Sequence, residues 1–165
     1  MKRLFLIRHA KSSWSDISLD DIDRPLNKRG KRDAPFMAKL LKEKNIFPDL
    51  LISSPAKRAN STAMFFADAF DYPKERIVVK SPIYESSVRD FLDVLQEIED
   101  ENRVVFLFGH NPALTLFTTF LSGKDLINIP TCGIAGLKLK VEKWGQINEN
   151  TCELELFEYP KKYLK

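Results

Sequence analysis

The first ten residues place the strongest constraint on this chain. Leu4 to Ile7 is a short run with no polar member. An unbroken apolar run of that length reads as a strand buried on both faces, because a half-buried strand would alternate apolar with polar residues. The run stops at Arg8-His9. Open α/β sheets place ligand sites just beyond the carboxyl ends of their strands. An imidazole and a guanidinium delivered there point to a phosphate site with a histidine nucleophile, although alone the pair is only a polar exit from a core.

Strand and helix signals alternate from there on. The polar stretch 10–23 reads as a loop over the strand end, with Trp14 either closing an apolar wall or anchored at the surface. Asn27 is an N-cap for a helix over 28–44, whose Phe36, Met37, Leu40 and Leu41 share one face. Pro35 inside that pattern predicts a kink or a break. Residues 49–52 form a second buried strand. Ser53-Ser54-Pro55 then starts a helix running to about Phe70, with serine as N-cap and proline at the first position. Residues 77–79 are a third strand, 81–86 a loop and 88–98 an amphipathic helix. Residues 103–108 form another buried strand, which runs into Gly109-His110-Asn111-Pro112 and a helix over 112–121. Residues 134–141 and 151–157 alternate and read as a terminal pair joined by Gly145-Gln-Ile-Asn, followed by a basic tail, frayed after Pro160. The pattern predicts a three-layer α/β fold, a mainly parallel central sheet with helices on both faces. Nothing divides the chain, so residues 1–165 are expected to form a single domain.

Composition excludes several classes of function. A net charge of +3 favours an anionic ligand weakly and is far from the basic stripe of a nucleic-acid binder. No apolar stretch approaches the ~20 residues needed to span a bilayer, and residues 4–7 are too short for a signal-peptide core. A cytoplasmic location with no membrane partner is the expectation. Cys132 and Cys152 lack metal or redox spacing and read as reduced structural thiols. The Asn60-Ser-Thr62 sequon is coincidental in such a compartment.

The chain has two histidines, His9 and His110, and each follows a buried strand by one or two residues. Arg58 lies in the first turns of the helix after Ser54-Pro55. Helix N-termini attract anions, and arginine offers phosphate a planar fork of donors. Arg58 alone reads as a solvated helix residue. Joined with Arg8, His9 and His110 at one sheet edge, it reads as a phosphate ligand.

Leu-Ile-Arg-His-Ala at 6–10, Pro-Leu-Asn-Lys-Arg-Gly at 25–30, Ser-Ser-Pro-Ala-Lys-Arg-Ala-Asn-Ser-Thr-Ala at 53–63, Tyr84-Glu85 and Gly-His-Asn-Pro at 109–112 occur in that order. The ordered set resembles the histidine phosphatase superfamily, with its phosphoglycerate-mutase-like fold. Asp23-Arg24-Pro25-Leu26, Gly-His-Asn-Pro and the short chain are most similar to the SixA-type phosphohistidine phosphatases. The resemblance implies that His9 is the nucleophile that becomes phosphorylated. It also implies that Arg8, Arg58 and His110 bind and stabilise the phosphoryl group, and that Glu85 falls where many members keep an acidic proton donor. The other reading of Glu85 is a loop carboxylate, solvated or paired with Arg89. His9 must be neutral to attack, whereas His110 would help more if protonated. No metal or cofactor is required.

One residue departs from the family pattern. The superfamily usually has glycine after the Arg-His pair, and Ala10 stands here. Either the backbone there is ordinary or the pocket is slightly reshaped. Lys11 and Ser12 follow and read either as further phosphate contacts or as solvated loop.

The expected activity is hydrolysis of protein phosphohistidine through a phosphohistidine enzyme intermediate. The first alternative is a phosphatase of a small phosphomonoester. A non-catalytic phosphate- or phosphoprotein-binding domain is the alternative of another class. Mutase activity is disfavoured, because the chain is short of the segments that would enclose a bisphosphorylated sugar acid.

Overall fold

The opening apolar run folds as strand β1 (Arg3–Arg8), at the centre of a six-stranded sheet in the computed structural model, which describes residues 1–165. Its neighbours are β4 (Val104–Gly109), parallel to it, and β5 (Ile134–Leu139), antiparallel. Beyond β4 lie β2 (Leu50–Ser53) and the two-residue β3 (Val78–Val79), both parallel. Beyond β5 lies β6 (Cys152–Glu158), antiparallel. The sheet order is therefore β3-β2-β4-β1-β5-β6.

Side chains alternate across the two central strands, and each face meets its own helices. Leu4, Leu6, Val105 and Leu107 pack with Phe91 and Leu95 of α3 (Val88–Gln96) and with Leu114 and Phe117 of α4 (Ala113–Ser122). Phe5, Ile7, Phe106 and Phe108 pack with Met37 and Leu41 of α1 (Lys28–Glu43) and with Ala63 and Phe66 of α2 (Lys57–Ala69). Residues 4–7 are fully buried, which is why they carry no polar member. The expected three-layer α/β architecture is the one observed. No helix is long and apolar enough to cross a membrane.

The start of α1 is seated on the chain just past His9. Asn27 caps it as expected, accepting the Gly30 N–H at 2.9 Å, while its own N–H donates to the Lys11 carbonyl at 3.0 Å. Gly30 is buried so close to that segment that a Cβ there would lie 2.2 Å from the Lys11 carbonyl oxygen. Any side chain there would force this backbone to shift.

Four local expectations are corrected. The helix after Ser53-Ser54-Pro55 begins at Lys57, because Ser54 Oγ accepts the Ala56 N–H at 3.1 Å and closes a turn before the helix starts. Pro35 does not break α1. It lies on the exposed face, where solvent can meet the carbonyl that its missing N–H leaves free. The link between β5 and β6 is a longer loop that buries Trp144, whose Nε1–H donates to the Asn102 carbonyl at 2.7 Å. The tail is not frayed: Lys162 Nζ lies 2.6 Å from Glu158 Oε1, the Tyr163 hydroxyl donates to the same carboxylate, and the Tyr163 ring packs on Phe36.

Replacing Gly30 with alanine should destabilise the fold by about 1–3 kcal/mol, the usual cost of overpacking, as read from the urea midpoint. An unchanged midpoint would show that the segment after His9 yields freely.

Candidate active site

Register brings the two histidines together. Arg8 pairs with Gly109 across β1 and β4, so the residues that follow leave adjacent strands at the same level. The rings of His9 and His110 lie 5.2 Å apart, centroid to centroid. The His9 N–H donates to the Gly109 carbonyl at 3.0 Å.

The His9 imidazole has a defined orientation and tautomer. Its Nδ1 lies 2.7 Å from the Ala10 carbonyl oxygen, which can only accept. Nδ1 therefore carries the proton, and Nε2 keeps the lone pair. His9 is 7% exposed, and this burial pushes its pKa down to about 3, with His110, Arg58 and Arg8 adding to the effect and the bond to Ala10 opposing it. A neutral imidazole with Nε2 free is the form that a nucleophile requires.

Ala10 is accommodated without strain. Its φ is not positive, and its methyl group belongs to the core under α1 and α2. The Ala10 N–H donates to Thr62 Oγ1 at 2.9 Å, and the Thr62 hydroxyl donates to the Arg58 carbonyl at 2.8 Å. The chain leaving His9 is thus fastened to the first turns of α2, the helix that carries Arg58.

Arg58 is held along one edge. Its Nη1 donates to the Asp21 carbonyl at 2.7 Å and its Nη2 to Asp21 Oδ2 at 2.9 Å. The same carboxylate oxygen accepts the Tyr84 hydroxyl at 2.5 Å, and the other accepts Arg24 Nε at 3.2 Å. Tyr84, then Arg58, hold the Asp21 carboxyl down to about 2, so it remains an anion. Arg24 in turn reaches Ser12 Oγ at 2.7 Å and stacks 3.5 Å over the Trp14 ring. Trp14 is exposed, and it anchors the loop rather than closing a wall.

His110 packs edge-on against Tyr84, and its Nε2 shares a 2.8 Å hydrogen bond with Ser54 Oγ. Burial, reinforced by Arg58, pushes its pKa down to about 4. Both histidines are therefore neutral at neutral pH. A protonated His110 would help more, yet burial beside Arg58 favours its neutral form in the free protein.

Arg8 donates from Nη1 to the Ile129 carbonyl at 3.0 Å, and burial lowers its pKa. Four buried side-chain polar atoms have no hydrogen-bond partner: Arg8 Nε, Arg58 Nε, His110 Nδ1 and Asp33 Oδ2. The last lies within ion-pair distance of Arg29. The other three are nitrogens of three residues gathered around His9. Buried polar atoms without partners are rare, and three nitrogens beside a neutral imidazole suit an oxyanion.

The Glu85 carboxylate makes no hydrogen bond or ion pair with this cluster. Glu85 is exposed, with φ of 54°, on the loop after Tyr84, and Arg89 pairs with Asp93 rather than with it. Sequence alone suggests no place in the site for Asp21, Tyr84, Thr62 or Ser54 as bonding partners: Asp21 is one of several aspartates in a patternless loop, and Ser54 stands where a helix cap is expected. Nothing along the chain separates these roles from ordinary loop and cap duties.

The family model of the histidine phosphatase superfamily, branch 1, matches residues 4–81. An uncharacterised chloroplastic protein of Arabidopsis thaliana is 31% identical over 151 residues, covering 87% of this chain and 69% of its own. A 2,3-bisphosphoglycerate-dependent phosphoglycerate mutase of Bifidobacterium longum is 38% identical over 71 residues, 42% of this chain, which spans only 29% of the mutase. A solved structure from Agrobacterium tumefaciens, named for the phosphohistidine phosphatase SixA, superimposes with a TM-score of 0.82. It is 29% identical and covers 96% of this chain and 98% of its own. Sheet order, the paired histidines and these likenesses agree: the chain belongs to the histidine phosphatase superfamily, on its SixA-like side.

Proposed function

We propose that this protein hydrolyses phosphohistidine on a protein substrate, with His9 as the nucleophile. The observation that carries the reading is the trio of buried, unpartnered nitrogens on Arg8, Arg58 and His110, gathered around a neutral histidine whose Nε2 is free.

In the first step His9 Nε2 attacks phosphorus, and the bond from phosphorus to the substrate nitrogen breaks. In the second, water attacks the phosphorylated His9, releasing inorganic phosphate and restoring the imidazole. Charge on the phosphoryl oxygens needs fixed donors in both steps. Asp21 occupies the Nη1–Nη2 edge of Arg58, leaving Nε as one of them. Arg8 Nε is a second and, with Ser54 donating its hydroxyl proton to His110 Nε2, the Nδ1–H of His110 is a third. The Ala10 carbonyl, which already accepts the Nδ1–H of His9, stabilises the positive charge that the ring gains on phosphorylation.

Glu85 is the candidate proton donor, and its exposed place suits a substrate that asks little of an acid. Imidazole leaves from phosphohistidine far more readily than an alkoxide leaves from an ester. The likeness to the SixA-named structure supports the same substrate class, and the short match to the mutase carries no support for a mutase reaction. A small phosphomonoester is the second reading, favoured only by the ester chemistry that a Glu85 acid would permit.

His9→Ala should abolish phosphate release from a phosphohistidine-bearing protein, and Arg58→Ala should reduce kcat about 10²–10³-fold, the cost of removing one charge-stabilising donor. A normal rate in either variant would overturn its assigned role. Glu85→Gln should slow an alkyl phosphate at least tenfold more than the phosphohistidine protein, since only the alkoxide needs a proton to leave; equal losses on both would remove Glu85 as an acid serving the leaving group. kcat/KM reports ionisations of the free enzyme, and His9 is neutral above about pH 3. After correction for the substrate's own ionisation, the profile should therefore show no acid limb between pH 5 and 8. A residual limb near the ordinary histidine value would contradict the burial of this nucleophile.

A further inference from the structure

Arg8 also forms one wall of a second cleft, of about 340 Å³, which it shares with Lys11, Arg29, Thr131, Tyr159 and Lys161. Four cations line this cleft, and no carboxylate does. The other substantial surface clefts each include at least one acidic residue: Glu142 and Glu153, Asp68, Glu43, or Glu97 and Glu99.

Little of this positive charge is neutralised. Arg29 lies 3.6 Å from the buried Asp33, and its Nη2 donates to Thr131 Oγ1 at 3.4 Å, so its guanidinium is oriented and partly balanced. Arg8, Lys11 and Lys161 take part in none of the protein's ion pairs. Lys161 is not a loose tail residue. The turn Pro160–Lys162 is pinned by the Lys162–Glu158 ion pair and by the Leu164 N–H, which donates to the Pro160 carbonyl at 2.8 Å. The basic tail read as frayed from sequence is instead folded back to complete this cleft.

The cleft adjoins the phosphoryl site through the backbone as well. Lys11 lies two residues past His9, and Thr131 precedes Cys132, whose N–H donates to the His9 carbonyl at 3.0 Å. An anion held here would therefore belong to the same substrate as the phosphoryl group at His9.

We propose that this cleft is a recognition subsite for an acidic side chain, aspartate or glutamate, that neighbours the phosphohistidine on the protein substrate. The proposal rests on the phosphohistidine reading of the main site. Charge complementarity supplies the selection, with the prolines and Tyr159 between the cations offering apolar contact to a polypeptide. Exposed ion pairs are individually weak, so several acting together correspond to a preference of about tenfold, strongest at low salt.

The test uses two phosphohistidine peptides of equal length, one with glutamates and one with glutamines flanking the modified residue, and an aryl phosphate as reference. The wild-type protein should prefer the glutamate peptide about tenfold in kcat/KM, through KM rather than kcat. In a Lys11→Gln/Lys161→Glu variant that ratio should fall to about one. A Lys138→Gln/Lys140→Glu variant, with the same charge change on a cleft lined by other residues, should keep it. Equal use of both peptides by the wild type, or a ratio retained in the Lys11/Lys161 variant, would remove the subsite and leave the phosphohistidine activity standing. Release from the aryl phosphate alone, with neither peptide hydrolysed, would overturn the phosphohistidine reading and the subsite with it.

Discussion

The site depends first on the parallel pairing of β1 with β4. Setting Arg8 opposite Gly109 places His9 and His110 at one level, and a slip of a single residue would send one of them to the other face of the sheet. The pairing is held by packing on both faces. Toward α1 and α2, Phe5 meets Phe106 edge-on at 5.3 Å and Phe66 meets Phe108 at 5.0 Å, while Leu6 and Leu107 pack on Phe91 and Phe117 on the other side. These aromatic contacts serve the chemistry indirectly, since they secure the register from which two imidazoles emerge side by side.

The second constraint is electrostatic. Arg8, Arg58 and His110 share one partly buried pocket with a second imidazole, that of His9. Burial and the neighbouring arginines keep both histidines uncharged, which limits the repulsion that so many nitrogens would otherwise create. Asp21 supplies the only carboxylate bonded to Arg58, and it does so from outside, through the outer edge of the guanidinium. Tyr84 and Arg24 keep that carboxylate ionised and in place. The loop 10–27, without a periodic pattern of its own, thereby becomes the support for a residue on α2.

The same economy applies at the far side of Arg8. Glu158, nearly buried on β6, gathers Lys162, Tyr163 and Lys44, and so folds the last residues against α1. Lys161 is carried with them to the edge of the cleft that Arg8 shares. Positions at the two ends of the chain thus come to line one cleft.

Strand burial, helix order and the ends at which Arg8, His9, Arg58 and His110 emerge could be read from residues in order, because each depends on local pattern: an unbroken apolar run, a cap, a proline. The layered α/β architecture follows from the same alternation. What lay beyond reach were relations across the chain. Asp21 meets Arg58 from 37 positions away, Tyr84 meets Asp21 from 63, and Ser54 meets His110 from 56. No periodicity encodes such pairs. Local pattern also misjudged Pro35, whose cost depends on which face of α1 it occupies, and the tail, whose order depends on Glu158 being buried at the end of β6. The sequence by itself determined which chemical groups arrive at the edge of the sheet. Only the tertiary structure decided their protonation, their tautomer and their partners, because those depend on burial and on the charges that distant segments bring near.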